Sequence, residues 1–554
     1  MSFNETSKPL DLSPDARVLI VLAILTCTLQ IFWFCSKCFN QIDIDGMAYL
    51  GIARHVRQGQ FQSSINAFRS PLVSWVIAIL SLVRTDYLHI GKIVSIGSFL
   101  LCLALLHTFT LELWHSHWVA SLTVLLFTLG RGLAAVAAAF VTPDFLFAAF
   151  VLVYFIVLLR CFRRSCLKNW FFLGIVHGLA FLTKAFALPW LGVCTAAAVV
   201  LSEKSWKTKV MQLGTAAFIP VIATGIWATV LHSKYGVYTT GSQFKTNLLQ
   251  WTLREYPQHR VETYALLRDT TKDLDEYLVG DPMPPGSWAW TYHVSLKQTF
   301  PKLLLAEESN IPKALKELTI VATPGVVLAF ALSLVILARK RHFHPVEWRM
   351  TAIIAASGVS LVLAYSMLVF DGRYLFPLIP LILAVGTRFL IASAELNHAG
   401  WRRISIALVA LGVCASLVYP ASPFRVLTRD FQVISYEAGT LLKKHTSSVT
   451  VVSIGSGPFP EHGVGWEAGY QSAYFGGDKL IATMDSLPSS TELETVAADL
   501  RKSIPDAIIV WGSPTDKRYN ALVGTLALQY PYDPVERISD PRLGEVGVVI
   551  FTVR

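Results

Sequence analysis

The stretch from Asp43 to Leu72, DIDGMAYLGIARHVRQGQFQSSINAFRSPL, decides the fold because it places carboxylates, arginines and a histidine between two apolar segments. The rest of the chain is unusually hydrophobic. Apolar residues make up 53% of its 554 residues, charged residues make up only 15%, and the mean hydropathy is +0.51. Soluble domains carry about 25% charged residues. The composition therefore predicts a polytopic α-helical membrane protein with this polar stretch at a membrane boundary.

Apolar runs predict about thirteen transmembrane helices, because roughly 15 to 22 residues at 1.5 Å each cross a hydrocarbon core of ~30 Å. The first run lacks a clear A-x-A cleavage site, so it is interpreted as an uncleaved span rather than a signal peptide. The segment 132–142 could instead be a partial or re-entrant helix. The predicted spans are 17–36, 71–84, 90–111, 117–131, 132–142, 144–160, 170–183, 185–201, 209–231, 319–338, 350–370, 374–394 and 404–421.

The net charge of +10 lies largely in short loops between apolar segments, which indicates membrane topology rather than a nucleic-acid surface. With the N-terminus inside, the basic cytoplasmic loops are 84–92, 160–168, 202–209, 338–349 and 388–403. The opposite side then receives the loop 37–70, the turns at Asp144 and Lys184, the loop 232–318, the turn 370–373 and everything after about residue 422.

Two domains are predicted: a transmembrane domain over 1–421 and a small soluble α/β domain over 422–554. The α/β domain is inferred from buried strands at 449–456, 506–512 and 545–553 and an amphipathic helix at 491–503. Its GSGPFPEHG segment fits neither the dinucleotide nor the Walker pattern, so nucleotide binding is not predicted. The loop 232–318 has no long apolar run and is expected on or above the outer membrane face.

Charged residues near the outer ends of the spans are informative because a charge at membrane depth costs roughly 2.5 kcal/mol or more. Taken singly, most have a structural explanation. Asp45 could cap a helix, and Arg69 could snorkel to the interface. Asp144 could begin a helix after proline, and Arg373 could pair with a neighbouring aspartate, but Lys184 between two apolar halves is harder to explain. Together they predict an outward-facing site in which cations bind an anionic headgroup such as a phosphate and a carboxylate acts as a general base.

The residues after Asp45 are predicted to form an amphipathic helix that lies along the membrane surface. Arg54 and His55 are interpreted as the wet face of this helix. The residues expected on its apolar side are Met47, Leu50, Ile52 and Val56.

The order of these residues resembles the GT-C superfamily of integral-membrane glycosyltransferases, particularly the branch of protein O-mannosyltransferases and bacterial aminoarabinose lipid A transferases. The similarity covers roughly residues 15–420. Two departures stand out: Gly46 occupies a position where close relatives have glutamate, and the Trp-Trp-Asp signature of oligosaccharyltransferases is missing. The resemblance rests on Asp45 followed by Tyr49, on Arg69-Ser-Pro71, on Thr142-Pro143-Asp144, on GLAFLTK from Gly178 to Lys184 and on RYLFPLIP from Arg373 to Pro380.

The resemblance implies a glycosyltransferase that moves a hexosyl or pentosyl group from a polyprenyl-phosphate donor to a hydroxyl of a glycan, lipid or protein, with inversion. Asp45 is then the candidate base, and Asp43 assists or substitutes for it. The implied site consists of the catalytic carboxylates Asp45 and Asp43, the donor-phosphate ligands Arg69, Lys184 and Arg373, and the supporting residues Tyr49, Asp144 and Tyr374.

A lipid or solute transporter or flippase is the alternative, because many crossings with intramembrane charges also describe carriers. Carriers tend to place charges near the bilayer midplane and to show related halves, which this sequence does not. No cofactor is expected, although Asp43 and Asp45 could share a divalent cation. Cys35 and Cys38 form a C-x-x-C, but no second pair completes a zinc site.

The expected location is a membrane, with lipids as the surrounding partners. The compact loops and the absence of eukaryotic sorting signals favour a bacterial inner membrane. The active site and the C-terminal domain are both expected on the extracytoplasmic face.

Overall fold

The computed structural model is mainly α-helical in the part of the chain that it describes. The described residues are 14–38, 41–84, 86–130, 132–164, 166–249, 290, 296–322, 330, 345–367, 371–395, 430–445, 450–455, 479–484, 487–503, 505–529, 532–539 and 547–553.

The helices of the first 395 residues are numbered in chain order. They are α1 (Pro14–Cys38), α2 (Ile44–Arg57), α3 (Phe61–Ser64), α4 (Leu72–Leu80), α5 (Tyr87–Trp114), α6 (His117–Thr128), α7 (Leu133–Ala139), α8 (Asp144–Arg163), α9 (Leu167–Thr183), α10 (Ala187–Leu201), α11 (Trp206–Tyr235), α12 (Gln243–Asn247), α13 (Leu296–Ala322), α14 (Pro345–Ser366) and α15 (Ile379–Glu395). A 3₁₀ turn, Gly372–Leu375, lies between α14 and α15.

Five helices in the described part of the chain are long and apolar enough to cross a membrane: α1, α5, α8, α11 and α14. A sixth candidate is the pair α6 and α7, which meet at a bend of 57°. Helices α9 and α10 and the first part of α15 are apolar but shorter. The chain is an integral membrane protein, but the described residues do not reach the predicted count of about thirteen spans. The predicted spans 319–338 and 404–421 lie largely or wholly outside the described residues.

The predicted second span, 71–84, is wrong. It contains only the nine-residue helix α4, which at 1.5 Å per residue is about 14 Å long and too short for a ~30 Å core. The hydroxyl of Ser74 in α4 donates to the carbonyl of Tyr49 in α2 over 2.9 Å. Helix α4 therefore packs beside α2 instead of crossing the membrane.

The beginning of α5 lies at the same level as α2. A Cβ atom on Gly91 would stand 2.8 Å from the Leu50 side chain of α2 and 2.9 Å from Val141. Residues 86–92 therefore lie at the same end of the bundle as Asp43, and the prediction that they lie on the opposite side of the membrane from the loop 37–70 is wrong.

Helices α6 and α7 together are long and apolar enough for one bent span rather than the two predicted spans 117–131 and 132–142, and the short α7 agrees with the alternative of a partial helix at 132–142. They begin near His115 and end where the Lys92 ammonium of α5 donates to the carbonyl of Ala139. The predicted crossing at 71–84 and the division of 117–142 into two spans each reverse the predicted side of the chain once. The two reversals cancel, so the predicted sides of the chain after residue 142 are unchanged.

The opposite end of the bundle holds the basic loops. Arg160 of α8 pairs with Glu112 of α5, and Arg163 Nη2 lies 3.0 Å from His115 Nε2. Arg349 at the beginning of α14 pairs with Glu203 after α10. We call this the basic end. It comprises residues 112–117, 160–164, 166–168, 203–209 and 345–349. The other end is the site end, which comprises residues 43–70, 86–92, 139–144, 184 and 371–374.

Part of the predicted outer loop 232–318 is helical. Helix α11 continues to Tyr235, and α13 spans 27 residues that include Pro301 and Pro312. Within α13, the Asn310 side chain donates to the Ser366 carbonyl at the end of α14 (2.9 Å). The prediction missed α13 because its polar residues interrupt any continuous apolar run.

A buried aromatic and aliphatic cluster joins α5, α6, α8, α9, α10, α14 and α15. Phe145 stacks on Phe376 with ring centroids 5.2 Å apart and meets Phe99 edge-on at 5.0 Å. This packing fixes the beginning of α8 against the segment that leads into α15, and both flank the site end.

The described C-terminal residues form a five-stranded sheet with helices on both faces. Its elements are α16 (Asp430–His445), β1 (Thr450–Ile454), β2 (Lys479–Met484), α17 (Ser490–Ser503), β3 (Ala507–Gly512), α18 (Lys517–Gln529), β4 (Tyr532–Ser539) and β5 (Gly547–Val553), with strand order β2-β1-β3-β5-β4. The β1 strand pairs in parallel with β2 and β3, whereas β5 is antiparallel to β3 and β4. The sequence does not predict β2 or β4.

Side-chain alternation along the strands builds two hydrophobic layers. Val452 and Ile508 face α17 and α18. Val451 and Ile509 face α16, and this cluster also contains Leu50 of α2. One buried cluster therefore includes residues of both the C-terminal sheet and the helix that follows the first span. The predicted domain boundary near residue 422 and most of the segment 455–463 lie outside the described residues.

Candidate active site

The stretch that opens the sequence analysis folds as a buried helix with a carboxylate at its beginning. Asp43 is the N-cap of α2, and its side chain accepts a hydrogen bond from the backbone N–H of Gly46 over 3.2 Å. Capping by Asp43 satisfies a helix N–H that has no partner within the helix. Asp45 then lies in the first turn. The interpretation of Asp45 as the helix cap is therefore wrong, because Asp43 caps the helix instead.

Most of helix α2 is buried within the protein, so the predicted wet face is limited to its last turn. Met47, Leu50 and Ile52 are buried within the protein. His55 is also buried, and its Nδ1 lies 2.6 Å from Gln60 Oε1, so its interpretation as a solvated residue is wrong. Arg54 is exposed, as expected.

Asp45 lies between two guanidinium groups. Its Oδ1 is 2.6 Å from Nη2 of Arg69, and its Oδ2 is 3.3 Å from Nη2 of Arg373. The Arg69 side chain is only 11% exposed, so its position reflects this ion pair rather than snorkelling alone. Residues that are more than 300 positions apart in the chain thus meet at one carboxylate.

A short turn positions Arg69 before α4. The side-chain oxygen of Asn66 accepts hydrogen bonds from the backbone N–H groups of Phe68 (2.8 Å) and Arg69 (2.6 Å). The Arg69 guanidinium lies 4.6 Å from the Phe68 ring centroid and 5.7 Å from that of Tyr49. The two rings favour the cation through their π faces. Tyr49, predicted as a supporting residue, therefore helps to orient Arg69.

Arg373 is held by the 3₁₀ turn between α14 and α15. Asp371 caps this turn by accepting from the Arg373 backbone N–H (3.0 Å), and its Oδ2 accepts from Nε (3.1 Å) and Nη2 (3.0 Å) of the same residue. Nη1 of Arg373 also lies 3.8 Å from Oδ2 of Asp43. The pairing with Asp371 expected from the sequence is present, but Arg373 also contacts both carboxylates of α2.

The second ion pair of the site joins Lys184 and Asp144. Asp144 is the first residue of α8 and is 3% exposed. The chain breaks from helical geometry at Lys184, between α9 and α10, and its ammonium donates to Asp144 Oδ1. The same ammonium lies 5.3 Å from the ring centroid of Tyr374, which stacks on Tyr365 at 4.2 Å. Tyr374 thus borders the pair on the side of the Arg373 turn.

The structure brings all the sequence-predicted site residues together at the site end. Asp371 and Lys92 join them although the sequence did not predict either as part of the site. Asp371 could have been recognised from its place two residues before Arg373. Lys92 could not, because the sequence places it in a basic loop on the other side of the membrane.

The ion pairs give the two carboxylates of α2 opposite properties. For Asp45, burial raises the pKa, but the guanidiniums of Arg69 and Arg373 prevail and lower it to about 2. For Asp43, burial and the negative charge of Asp45 raise the pKa to about 6, against smaller opposing effects of Arg373 and Lys92. At neutral pH both are ionised. Asp45 is then a weak base as long as both guanidiniums hold it.

Polar atoms remain available for a ligand. Within the described ranges, the buried Nε of Arg69 and the buried Oγ1 of Thr142 have no hydrogen-bond partner. Buried polar atoms are normally paired. Both belong to segments that contribute charges to the site. The described residues contain no group of three or more His, Cys, Asp or Glu placed to hold a metal ion.

An apolar cavity of about 700 Å³ is lined in part by the chain segments that lead to two cations of the site. Two of its lining residues, Ile65 and Leu182, are close in the chain to Arg69 and Lys184. Nearly all of its surface is hydrocarbon or aromatic, and Trp75 and Trp227 meet edge-on within it at 6.2 Å. The remaining lining residues are Val56, Phe61, Ser64, Ile219, Ile222, Ala223, Ile226, Val230 and Ser233.

The fold and the site together define this protein as a helical membrane bundle with a charged site at one end and a C-terminal sheet. The same overall fold occurs in the crystal structure of ArnT from Cupriavidus metallidurans in the apo state, with a TM-score of 0.53 and 13% sequence identity over 97% of this chain and 98% of that chain. At this level of identity the similarity shows the fold alone.

Residues 69–227 match the family described as dolichyl-phosphate-mannose-protein mannosyltransferase. With the shared fold, this match confirms the resemblance to the GT-C superfamily. The crystal structure of ArnT from Cupriavidus metallidurans bound to undecaprenyl phosphate gives a TM-score of 0.49 at 14% identity, over 96% of this chain and 97% of that chain. A search of curated proteins gave no match.

Proposed function

We propose that this protein is an integral-membrane glycosyltransferase that transfers a sugar from a polyprenyl-phosphate carrier to a hydroxyl group of an acceptor. One observation carries the proposal: Asp45 lies between Arg69 and Arg373, next to the Lys184–Asp144 pair and the apolar cavity. These groups match the needs of the reaction, which are a base, an anion site and a place for a lipid.

The cations suit the donor phosphate. Guanidinium and ammonium groups bind phosphate oxygens through charge-assisted hydrogen bonds, and arginine can do so with two donors at once. In the structure Asp45 engages Arg69, and Asp144 engages Lys184. A donor phosphate would replace these carboxylates and would also reach the unpaired Nε of Arg69. Binding therefore exchanges internal ion pairs for pairs with the ligand.

This exchange would activate the base. When Arg69 turns to the phosphate, Asp45 loses the first of the two positive partners that lower its pKa. Its pKa then rises, and its ability to accept a proton rises with it. The carboxylate becomes competent only when the donor is bound, which limits unproductive proton transfer.

The chemical step is a single displacement. The acceptor hydroxyl gives its proton to Asp45, and its oxygen forms a bond to the anomeric carbon while the bond from that carbon to the phosphate oxygen breaks. The electron pair of the broken bond leaves with the lipid phosphate, where Arg69, Lys184 and Arg373 stabilise the added charge. Attack opposite the leaving group inverts the anomeric centre. Asp144 orients Lys184 throughout.

The apolar cavity would hold the beginning of the polyprenyl chain. Burial of its isoprenoid hydrocarbon is favourable at roughly 25 cal/mol per Å². Ile65 and Leu182, which line the cavity, belong to the segments that carry Arg69 and Lys184. A phosphate at these cations would therefore have its lipid tail near the cavity. A transporter would need a path from the site end to the basic end, whereas the charged groups of this site lie at one end.

The site end is extracytoplasmic in this proposal, because the basic end carries the arginines and lysines that the positive-inside rule assigns to the cytoplasm. The bacterial inner membrane is the proposed location. The C-terminal sheet, which shares a buried cluster with α2, would face the same side. The acceptor can be a glycan, a lipid or a protein.

No metal is proposed for the chemistry. Asp43 and Asp45, which could have shared a divalent cation, both face the Arg373 guanidinium. The positive charge that a metal would supply to a phosphate is already present in Arg69, Lys184 and Arg373.

The test is sugar transfer by purified protein in vesicles supplied with undecaprenyl-phosphate-linked hexoses and pentoses that are radiolabelled in the sugar, with and without a chelator. Asp45→Asn should abolish transfer because amide nitrogen cannot accept the hydroxyl proton. Asp86→Asn, which removes a helix-capping carboxylate whose side-chain partner is His89 rather than a cation of the site, is the matched control. Transfer by Asp45→Asn would exclude the base role. Passage of intact labelled lipid across the bilayer without transfer would identify a carrier, and loss of transfer on chelation would contradict metal independence.

A further inference from the structure

Lys92 is a fully buried charged residue within the long apolar helix α5. Its exposed fraction is 0%, and it is among the largest fully buried side chains of the described residues. A lysine at membrane depth is costly unless it has partners, and such residues usually mark functional sites. The sequence did not predict this position, and the proposed reaction does not use it.

The surroundings of Lys92 join three elements of the site. Its ammonium donates to the carbonyl of Ala139 at the end of α7. This carbonyl ends the helix that leads to Asp144. The adjacent Gly91 fits between Leu50 of α2 and Val141, where a Cβ atom would come within 2.9 Å of each. Lys92 therefore lies where α5, the segment before α8 and α2 meet.

The Lys92 charge interacts electrostatically with the carboxylate of Asp43. Asp43 faces the negative charge of Asp45 on its own helix and the positive charges of Arg373 from the 3₁₀ turn and Lys92 from α5. Arg69, before α4, interacts with it more weakly. On the other side, Lys92 faces Cys35 and Cys38 at the end of α1.

Lys92 and Arg373 thus approach Asp43 from two different elements. Arg373 also serves Asp45 and Asp371, and in the proposed reaction it turns toward phosphate. Lys92 is not expected to turn toward the phosphate, because its side chain is fully buried. Its charge is the contribution to Asp43 that persists while the donor is bound.

We propose that Lys92 is a positioning residue, a buried cation that keeps the Asp43 carboxylate ionised and ties the turn carrying Asp144 to the helix carrying Asp45. An ionised Asp43 caps α2, accepts from Gly46 and holds Asp45 in register with Arg69 and Arg373. This role rests on the proposed function for its effect on catalysis, but its electrostatic part is independent of it.

The first experiment compares Lys92→Arg with Lys92→Met in the transfer assay. Misplacement of catalytic groups by about 1 Å can cost on the order of 100-fold in rate. We expect Lys92→Met to lower kcat by up to about 100-fold with the donor KM nearly unchanged, and Lys92→Arg to restore most of the rate. A raised donor KM with unchanged kcat would make Lys92 a donor ligand and overturn the positioning role. Failure of arginine to rescue would contradict a role for the charge.

The second experiment needs no activity. Asp43 has a folded-state pKa raised to about 6 from its usual 3.8, so the stability it contributes is full below the usual pKa and is lost as pH rises through the folded one. Removal of Lys92 raises this pKa further. Thermal unfolding of Lys92→Met should therefore lose stability over a pH range that extends above that of Lys92→Arg, which keeps a positive charge that does not titrate here. Asp43→Asn in each background should remove the difference. Identical pH profiles for Lys92→Met and Lys92→Arg would overturn the proposal even if no transfer is found.

Discussion

At the scale of single residues, the site is a set of charges that balance one another before any ligand arrives. Two guanidiniums hold Asp45, one ammonium holds Asp144, and Arg373 is shared among several carboxylates. Taking a buried charge out of its pair costs several kcal/mol. A ligand that replaces one partner must therefore supply an equivalent charge, and a phosphate does so.

Gly46 shows how tightly the catalytic turn is built. A Cβ atom there would stand 2.7 Å from Oδ1 of Asp43 and 3.2 Å from Val141. No larger side chain fits without moving the Asp43 cap. The Asp43 carboxylate thus lies against Gly46, the residue that stands where close relatives have glutamate.

The raised pKa of Asp43 predicts a gain of stability on removal of its charge. At pH 8 Asp43 is ionised at a cost, because its pKa is raised to about 6 by burial and by Asp45. Asp43→Asn removes this cost and keeps a good helix cap. We expect the variant to melt at a higher temperature than the wild type at pH 8, with the difference shrinking as the pH falls from about 6 to 4.

Thermal unfolding in detergent across this pH range measures the effect. Asp86→Asn, which also replaces an aspartate cap, is the control for the loss of a capping carboxylate. A lower melting temperature for Asp43→Asn at pH 8 would mean that its ion pairs outweigh the cost of burying the charge.

At the scale of elements, close helix packing presents Lys184 to Asp144. Helix α9, which ends at Thr183, packs against α11 along Gly174 and Gly178. A Cβ atom on Gly174 would stand 2.6 Å from the carbonyl oxygen of Ala216. Small residues at membrane helix interfaces allow backbones to approach in this way. The position of Lys184 at the end of α9 depends on this contact.

Gly174→Ala should therefore destabilise the protein and reduce its activity. The contact is with backbone, which cannot move aside, and overpacking of this kind costs about 1–3 kcal/mol. Gly225→Ala in α11 is the matched control because nothing lies within 4 Å of its Cβ position. The control should be neutral or stabilising by up to about 1 kcal/mol, since alanine favours helix more than glycine. Equal melting temperatures for the two variants would show that α9 and α11 adjust freely.

At the scale of the whole molecule, the arrangement of the two ends can be tested by labelling. The structure places residues 86–92 at the site end, whereas Cys166 is exposed at the basic end. A membrane-impermeant maleimide applied to intact cells should label Arg84→Cys and should reach Cys166 only after permeabilisation. The other cysteines are replaced by alanine in both samples. If Arg84→Cys, like Cys166, is labelled only after permeabilisation, the chain crosses the membrane at 71–84 as the sequence predicted.

The sequence determined much of the site because the charges stand out against an apolar background. Asp45, Asp144 and Lys184 can be recognised from the free-energy cost of a charge at membrane depth alone, since isolated charges at the ends of spans require partners. The positive-inside rule predicted that these three residues lie on the same side of the membrane. The two topology errors cancel, so they do not change this prediction. The strands β1, β3 and β5 were also recognisable, because continuous runs of Val and Ile are typical of strands buried on both faces.

Only the tertiary structure decided which charges pair and which residue complements the site. Local sequence could not show that Asp43 rather than Asp45 caps α2, because both positions suit a helix beginning. Nor could it place Lys92 at the same end of the bundle as Asp43, since this required that the nine-residue helix α4 not cross the membrane. Ion pairs between distant segments depend on how helices pack in three dimensions, and hydropathy, which depends on each segment alone, carries no record of that packing.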